Sequence, residues 1–224
     1  MRPLIEESDQ RLFTEVVPFD FTNPSVDPVQ YESDMIELVK YYGAYGLSAN
    51  QFGDSIRMVT FGAGDDYSSL WNPTIVGKSE KLQYGKEGCV SFPYLIMNVY
   101  RPQEIEVKFQ LSDGTPQSYT FTGLTARTIC QGIDFLNGIP FTEVVPRSEL
   151  NRGMSKRKTI RKRALRKERG LRKLYKEMDL TEEQVRQVET YRTQRTNPNP
   201  SKQSTGSTEI TEQGDSLIIS TDND

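Results

Sequence analysis

The two cysteines, Cys89 and Cys130, are the side chains of this 224-residue sequence best suited to nucleophilic attack or to binding a soft metal ion. The chain contains no histidine. Histidine is the commonest general base and the commonest metal ligand in proteins. Its absence excludes histidine-assisted serine or cysteine catalysis, and it excludes zinc sites built on two histidines one helical turn apart. Chemistry here therefore depends on thiols, carboxylates and amides.

Charge is distributed unevenly along the chain. The formal net charge is only −3, but residues 152–176 contain thirteen Lys and Arg residues and a single acid, Glu168. The rest of the sequence is correspondingly acidic. An acidic body followed by a basic arm indicates two regions with different roles, and the arm has the composition of a surface that binds phosphates or an acidic protein.

Hydrophobic periodicity predicts a body of mixed α and β structure. Apolar residues recur at helical spacing over residues 34–42, and residues 104–111 alternate with the period of a strand. Residues 125–137 are predicted to form a helix ending near Gly138. The basic segment 155–178 is also predicted to be helical, because apolar residues form a stripe along it.

Composition divides the chain into three predicted parts. Residues 1–150 form the mixed body, residues 151–196 form a basic helical extension, and residues 197–224 form a polar tail rich in Ser, Thr, Asn and Gln. The tail has little apolar surface to bury, so we expect it to be disordered.

Three motifs, in order, resemble those of the peptide deformylases, metal hydrolases that remove the formyl group from N-terminal methionine. They read AYGLSANQ at residues 44–51, EGCVS at 87–91 and CQGIDFLNG at 130–138. The resemblance covers about residues 12–150. It implies an α+β fold with deformylase-like antiparallel sheets around a central helix at about 125–137, followed by the C-terminal helical extension and the tail.

The resemblance assigns roles to seven positions. In the family, the second-motif Cys and two His one helical turn apart hold the metal, a Glu serves as general acid and base, and a Gln and a backbone N–H stabilise the oxyanion. Here the retained positions are Gly46, Gln51, Cys89 and Val90, and the altered ones are Gln131 and Phe135 in place of His and Gly132 in place of Glu.

These substitutions predict the loss of the metal site. Phe is not a metal ligand, Gln is a poor one for transition metals, and Gly has no side chain to move a proton. We therefore expect no cofactor, no metal and no catalytic residues, hence a chain that is not an enzyme. Cys89 is expected to be a buried residue, unbonded to Cys130, and a replacement metal site formed by Cys89, Asp134 and Gln131 is not expected.

Three functions remain open. The first is a catalytically inactive deformylase-like protein reused as a structural or binding module, for example a bacteriophage tail or baseplate component, since deformylase homologues occur in tailed phages. The second is a ribosome- or RNA-associated factor, because bacterial deformylases dock on the ribosome through a basic C-terminal helix. The third is an active peptide deformylase with a non-standard metal site.

The basic extension is the predicted partner-binding segment. Its expected partners are other protein subunits, with nucleic acid or the ribosome as the alternative. No apolar run reaches the length of a membrane helix, and with only two cysteines we expect a reducing compartment, the cytoplasm or an assembled virion. The predicted contact residues are Lys156, Arg157, Lys158, Arg161, Lys162, Arg163, Arg166, Lys167, Arg169, Arg172 and Lys173.

Overall fold

The structure is a computed structural model that describes residues 2–196, 210–213 and 216–219. It divides into two units, Met1–Arg172 and Lys173–Asp224. None of the helices in the described part of the chain combines the length and the apolar character that a bilayer-spanning segment requires.

The first unit is built on antiparallel sheets, as the resemblance implies. Five strands form one sheet in the order β1-β2-β3-β6-β7, and β4 pairs with β5 in a separate hairpin. The strands are β1 Gly46–Ser48, β2 Met58–Ala63, β3 Asp66–Lys78, β4 Leu82–Gly88, β5 Ile96–Pro102, β6 Glu104–Gln110 and β7 Pro116–Thr122.

The first helix, α1 (Pro28–Tyr42), has clear start and stop signals in the sequence. The Asp27 side chain accepts hydrogen bonds from the backbone N–H groups of the first turn, and Pro28 occupies a position where its missing N–H costs nothing. Gly43 ends the helix with a φ of 58°, a left-handed conformation that favours glycine. After Gly43 the chain continues into β1.

The second helix, α2 (Gly123–Leu136), is the predicted central helix. Its residues Ile129, Ile133 and Leu136 are buried and pack with Val59 and Val107 of the five-stranded sheet. A helix buried on this scale is stabilised by its apolar contacts rather than by its intrinsic propensity. The predicted α+β architecture with antiparallel sheets and a central helix is confirmed.

The β4–β5 hairpin places the second motif beside α2. Residues 89–95 connect the two strands, and Phe92, Leu95 and Met97 pack in one cluster with Phe135 of α2. The cluster fixes this connection against the helix, which brings the second and third motifs together.

The third helix, α3 (Arg147–Glu177), begins earlier than the basic segment predicted from Ser155. Gly153 lies directly against β5, since a Cβ atom on it would meet Met97 Cγ at 2.8 Å. The predicted limits at 150 and 196 stay predictions, although α3 crosses the first of them without interruption.

The second unit contains the end of α3, α4 (Glu182–Thr196) and a hairpin of β8 (Ile210–Gln213) with β9 (Ser216–Ile219). The hairpin lies within the tail that we expected to be disordered, and its residues Ile218 and Ile219 are β-branched, a type that favours strands. The remainder of that predicted tail lies outside the described residues.

Candidate functional site

A cleft of about 660 Å³ lies between β1, α2 and the connection from β4 to β5. Four of the seven motif positions line it, Gly46, Cys89, Val90 and Gln131. Two of its sides differ in character. We call residues 46–51 and 88–91 the strand wall and residues 131–135 the helix wall. Gly46, Gly88, Cys89, Val90 and Gln131 line the cleft itself, whereas Gln51, Ser91, Gly132 and Phe135 are buried and do not line it.

A hydrogen-bonded trio joins the two motifs of the strand wall. Gln51 Nε2 donates to Ser91 Oγ at 2.8 Å and to Cys89 Sγ at 3.3 Å. Gln51 Oε1 accepts the backbone N–H of Ser48 at 2.9 Å, which fixes the orientation of the amide. Ser91 is the member that the motif comparison did not assign, and its place two residues after Cys89 was the available signal.

Donors also surround the sulfur of Cys89. Burial raises the pKa of this thiol to about 11, although hydrogen bonds from Ser91, from the backbone N–H of Phe92 and from Gln51 act in the opposite direction. The thiol is therefore protonated at neutral pH and is a weak nucleophile.

On the helix wall, the amide of Gln131 occupies a position where the family has a metal-binding His. Gln131 Nε2 lies 3.3 Å from Glu87 Oε2 and 3.4 Å from the carbonyl oxygen of Gly88. It therefore donates toward β4 and links the helix to the strand that precedes Cys89. Cys130, the residue before it, is buried in the core, and both cysteines are free thiols, as expected.

The other two altered positions are filled with packing atoms. Phe135 is 1% exposed, and its ring lies 6.3 Å from that of Phe92. A Cβ atom on Gly132 would meet Val59 Cγ1 at 2.6 Å, so no longer side chain fits there without movement of Val59. Ser48 Oγ donates to the Gly132 carbonyl at 2.9 Å. At Gly132 and Phe135 the helix wall is thus packed core, and Gln131 is the member that faces the cleft.

The residues present do not fit a metal ion held in the arrangement that the resemblance implies. Within residues 2–196, 210–213 and 216–219, no three His, Cys, Asp or Glu side chains come together as a ligand set. Cys89 is the one remaining ligand type of the three positions, since the Gln131 amide is directed toward Glu87 and Phe135 offers only carbon. A catalytic zinc site needs about three protein ligands. No catalytic step is therefore assigned to a metal here.

A network of buried charged side chains lies beside the cleft. The sequence did not predict it. Glu87 accepts hydrogen bonds from Arg101 Nε at 2.9 Å and from Arg127 Nη1 at 2.7 Å, and Arg101 also pairs with Asp134. Burial raises the pKa of Asp134, and the charge of Arg101 opposes that shift. Because buried charges require partners, the network fixes the position of β4 and β5 relative to α2.

The basic arm divides into exposed and buried members. Ten of the eleven predicted contact residues are exposed, and among the described residues eight of those ten form no salt bridge. Arg157 is different. It is 9% exposed and binds Glu7 and the carbonyl oxygen of Pro93. Its assignment to an external partner is wrong, because its guanidinium is used inside the protein.

Comparison with known proteins identifies the family. The family model described as polypeptide deformylase matches residues 1–151, and the chain belongs to that family. The peptide deformylase of Thermoanaerobacter pseudethanolicus is 37% identical over 108 residues, which are 48% of this chain and 67% of that protein.

Solved structures agree with this assignment. The crystal structure of the Thermotoga maritima peptide deformylase is similar with a TM-score of 0.61 and 26% identity, covering 65% of this chain and 98% of that one. The peptide deformylase of Synechococcus elongatus, solved in complex with actinonin, has a TM-score of 0.62 and 28% identity, covering 70% of this chain and 87% of that one.

These relatives correct the expectation that the chain is not an enzyme. All three are named peptide deformylases, and one was solved with actinonin bound, so the family points to an enzyme. None of the three is a virion or baseplate protein, so the comparisons give no support to a phage structural role. The altered helix wall distinguishes this chain from the motif pattern of its family, and it does not by itself indicate inactivity.

Proposed function

We propose that this chain is a peptide deformylase that binds the formylated N-terminus of a peptide in its cleft and hydrolyses the formamide. Water adds to the formyl carbon, the bond from carbon to the peptide nitrogen breaks, and formate and the free amine leave. The cleft lined by the retained family positions Gly46, Cys89 and Val90 carries this proposal, because the backbone N–H of Val90 would be a donor fixed in advance for an acyl oxygen that gains negative charge.

The strand wall supplies the polar contacts in this proposal. Gln51 Nε2 and the backbone N–H of Val90 would face the formyl oxygen, as the family pattern implies. The Ser48 N–H holds the other end of the Gln51 amide, and Nε2 would reach the formyl oxygen by exchanging its bond to Cys89 Sγ, the longer of its two. Within the described residues β1 pairs with β2 alone, so its other edge at Gly46 would offer backbone groups to an extended peptide.

The family's metal would supply a water of lowered pKa, and this chain lacks the ligands that hold it. We assign the activation of water to no residue. The proposal is thus for a deformylase whose site departs from the Cys-His-His arrangement, and its test includes both binding and turnover.

The test measures formate release from a formyl-methionyl tripeptide, together with calorimetric binding of that peptide and of actinonin. The unaltered chain is expected to bind both and to release formate above the buffer rate. Gln51→Ala is expected to lower kcat/KM by about 10²- to 10³-fold, the usual effect of removing an oxyanion donor. Gln131→Ala, which removes an amide from the opposite wall, is the comparison variant. Absence of both binding and turnover would refute the proposal.

We also propose that the exposed face of α3 binds a polyanion, namely the phosphate backbone of RNA. The exposed, unbridged cations support this, because phosphate contacts depend on charge and need no stacking residues. These residues are Lys156, Lys158, Arg161, Lys162, Arg163, Arg166, Lys167 and Arg169.

Fluorescence anisotropy with a labelled RNA duplex tests the α3 proposal. Affinity is expected to fall steeply between about 50 and 200 mM salt, and replacing Arg161, Lys162 and Arg166 with alanine should reduce the log–log slope by roughly one for each phosphate that is no longer neutralised. A shallow slope would contradict RNA binding and would favour an acidic protein as the partner.

A further inference from the structure

The connection from β4 to β5 contains a turn whose third residue is unusual for its backbone conformation. The Leu95 N–H donates to the Phe92 carbonyl oxygen at 3.1 Å, which closes a four-residue turn with Pro93 second and Tyr94 third. Tyr94 has a φ of 67°. A turn with proline as its second residue and a positive φ at its third residue has the pattern of a type II turn. The third position of such a turn is normally glycine. A residue with a side chain is strained in this conformation.

Arg157 of α3 holds the peptide group that defines this turn. Its Nε donates to the Pro93 carbonyl oxygen at 2.9 Å, while its terminal nitrogens bind the Glu7 carboxylate. In a type II turn the central peptide is rotated by about half a turn relative to a type I turn, so this carbonyl points to the opposite side. A charged donor fixed at that carbonyl therefore favours the conformation that Tyr94 would otherwise avoid.

The position of Arg157 is itself fixed by the helix that carries it. Gly153 allows α3 to lie against β5, where a Cβ atom would meet Met97 Cγ at 2.8 Å. Four residues earlier in α3, Glu149 Oε1 accepts the backbone N–H of Asn98 at 3.0 Å. These two contacts hold α3 against β5, so the position of the Arg157 guanidinium is fixed.

Tyr94 lines the cleft together with Gly46 and Cys89, and it is 48% exposed. We infer that Arg157 is a positioning residue of the peptide site: it holds the turn at residues 92–95, and the turn places the Tyr94 ring where it contacts the side chains of a bound peptide. Tyr94 then favours apolar residues after the N-terminal methionine. This inference deepens the proposed function and depends on it for the identity of the ligand.

The first experiment tests the coupling without any ligand. Residues with positive φ give a strong NOE between their own amide and α protons. Tyr94 is expected to show it in the unaltered chain and in Arg157→Lys, which keeps a donor, and to lose it in Arg157→Ala. Arg147→Ala, which removes another cation of the same helix, is the control. An unchanged NOE in Arg157→Ala would overturn the inference. Should that variant not fold, Arg157→Met, which keeps the length of the side chain and has no donor, replaces it.

The second experiment is a double-mutant cycle on affinity for actinonin and a formyl-methionyl tripeptide. Arg157→Ala is expected to weaken binding about tenfold, the scale of one strained backbone conformation. In a Tyr94→Gly background the same change should have no further effect, since glycine adopts positive φ freely. An equal loss in both backgrounds would show that Arg157 acts only on stability. If the unaltered chain binds neither ligand, the proposed function fails, whereas the NOE still decides the coupling.

Discussion

The two walls of the cleft differ in what their residues are bonded to. The strand wall is polar and ordered by hydrogen bonds, with Gln51 joined to Ser48, Cys89 and Ser91. The helix wall is closed by packing, with Phe135 in an apolar cluster and no space beside Gly132. The strand wall keeps the residues that the family pattern retains, and in the helix wall Gly132 and Phe135 are packed as core.

The largest expected effect comes from Phe135. Phe135→Ala removes a ring that is 1% exposed and leaves a cavity, which should lower the free energy of unfolding by about 3–5 kcal/mol. Gln131→Ala, on the same helix but only partly buried, should cost less than about 1 kcal/mol. Urea denaturation of both variants provides the measurement. A small loss of stability for Phe135→Ala would show that this wall is open rather than packed.

A smaller effect is expected at Gly132, and its sign depends on Val59. Gly132→Ala adds a methyl group 2.6 Å from Val59 Cγ1, which should cost about 1–3 kcal/mol and outweigh the helix propensity of alanine. In a Val59→Ala background the same change should stabilise the protein by up to about 1 kcal/mol.

Unfolding free energies of the four proteins in this cycle check the sign change. Additive effects would mean that Gly132 and Val59 do not compete for the same space, and the helix wall would then have room for a longer side chain.

A further expected effect, on reactivity rather than on packing, concerns the Cys89 thiol on the strand wall. Its pKa of about 11, against an ordinary value of 9.0, should reduce the thiolate fraction at pH 8 about a hundredfold relative to a free cysteine. Iodoacetamide alkylation of a Cys130→Ala variant, followed by mass spectrometry, measures it. Cys89 is only partly buried, so alkylation at the rate of free cysteine would contradict the raised pKa of the thiol.

The same shift fixes the sign of a pH effect on stability. The folded chain holds the Cys89 proton more tightly than the unfolded chain, so its contribution is complete below about pH 9 and is lost as the pH rises toward 11. Comparing unfolding free energies of Cys89→Ala and the unaltered chain across this range isolates the contribution.

Local patterns in the sequence predicted helices and strands. They did not predict the contacts between residues that lie far apart in the chain. The alternation at 104–111 and the apolar face of 125–137 appear as β6 and α2, because each period is set by the backbone itself. The charge network around Glu87 joins residues far apart in sequence, which no local pattern encodes.

The order of the three motifs predicted the fold and identified the motif residues of the strand wall. It did not predict the hydrogen bonds that these residues form. Arg157 was one of thirteen cations, and its burial was not recognised. The signal was present in the spacing of Leu150, Gly153 and Arg157, which share one helical face.

The contact between Gly153 and Met97 has a practical consequence for where the chain is cut. The region matched by the family ends at residue 151, but Leu95 and Met97 are each 1% exposed beneath the following turn of α3. A fragment ending at 151 would present these side chains to water and would tend to aggregate. The minimal independently folding fragment should therefore extend beyond Arg157, into a segment that composition alone assigns to a separate arm.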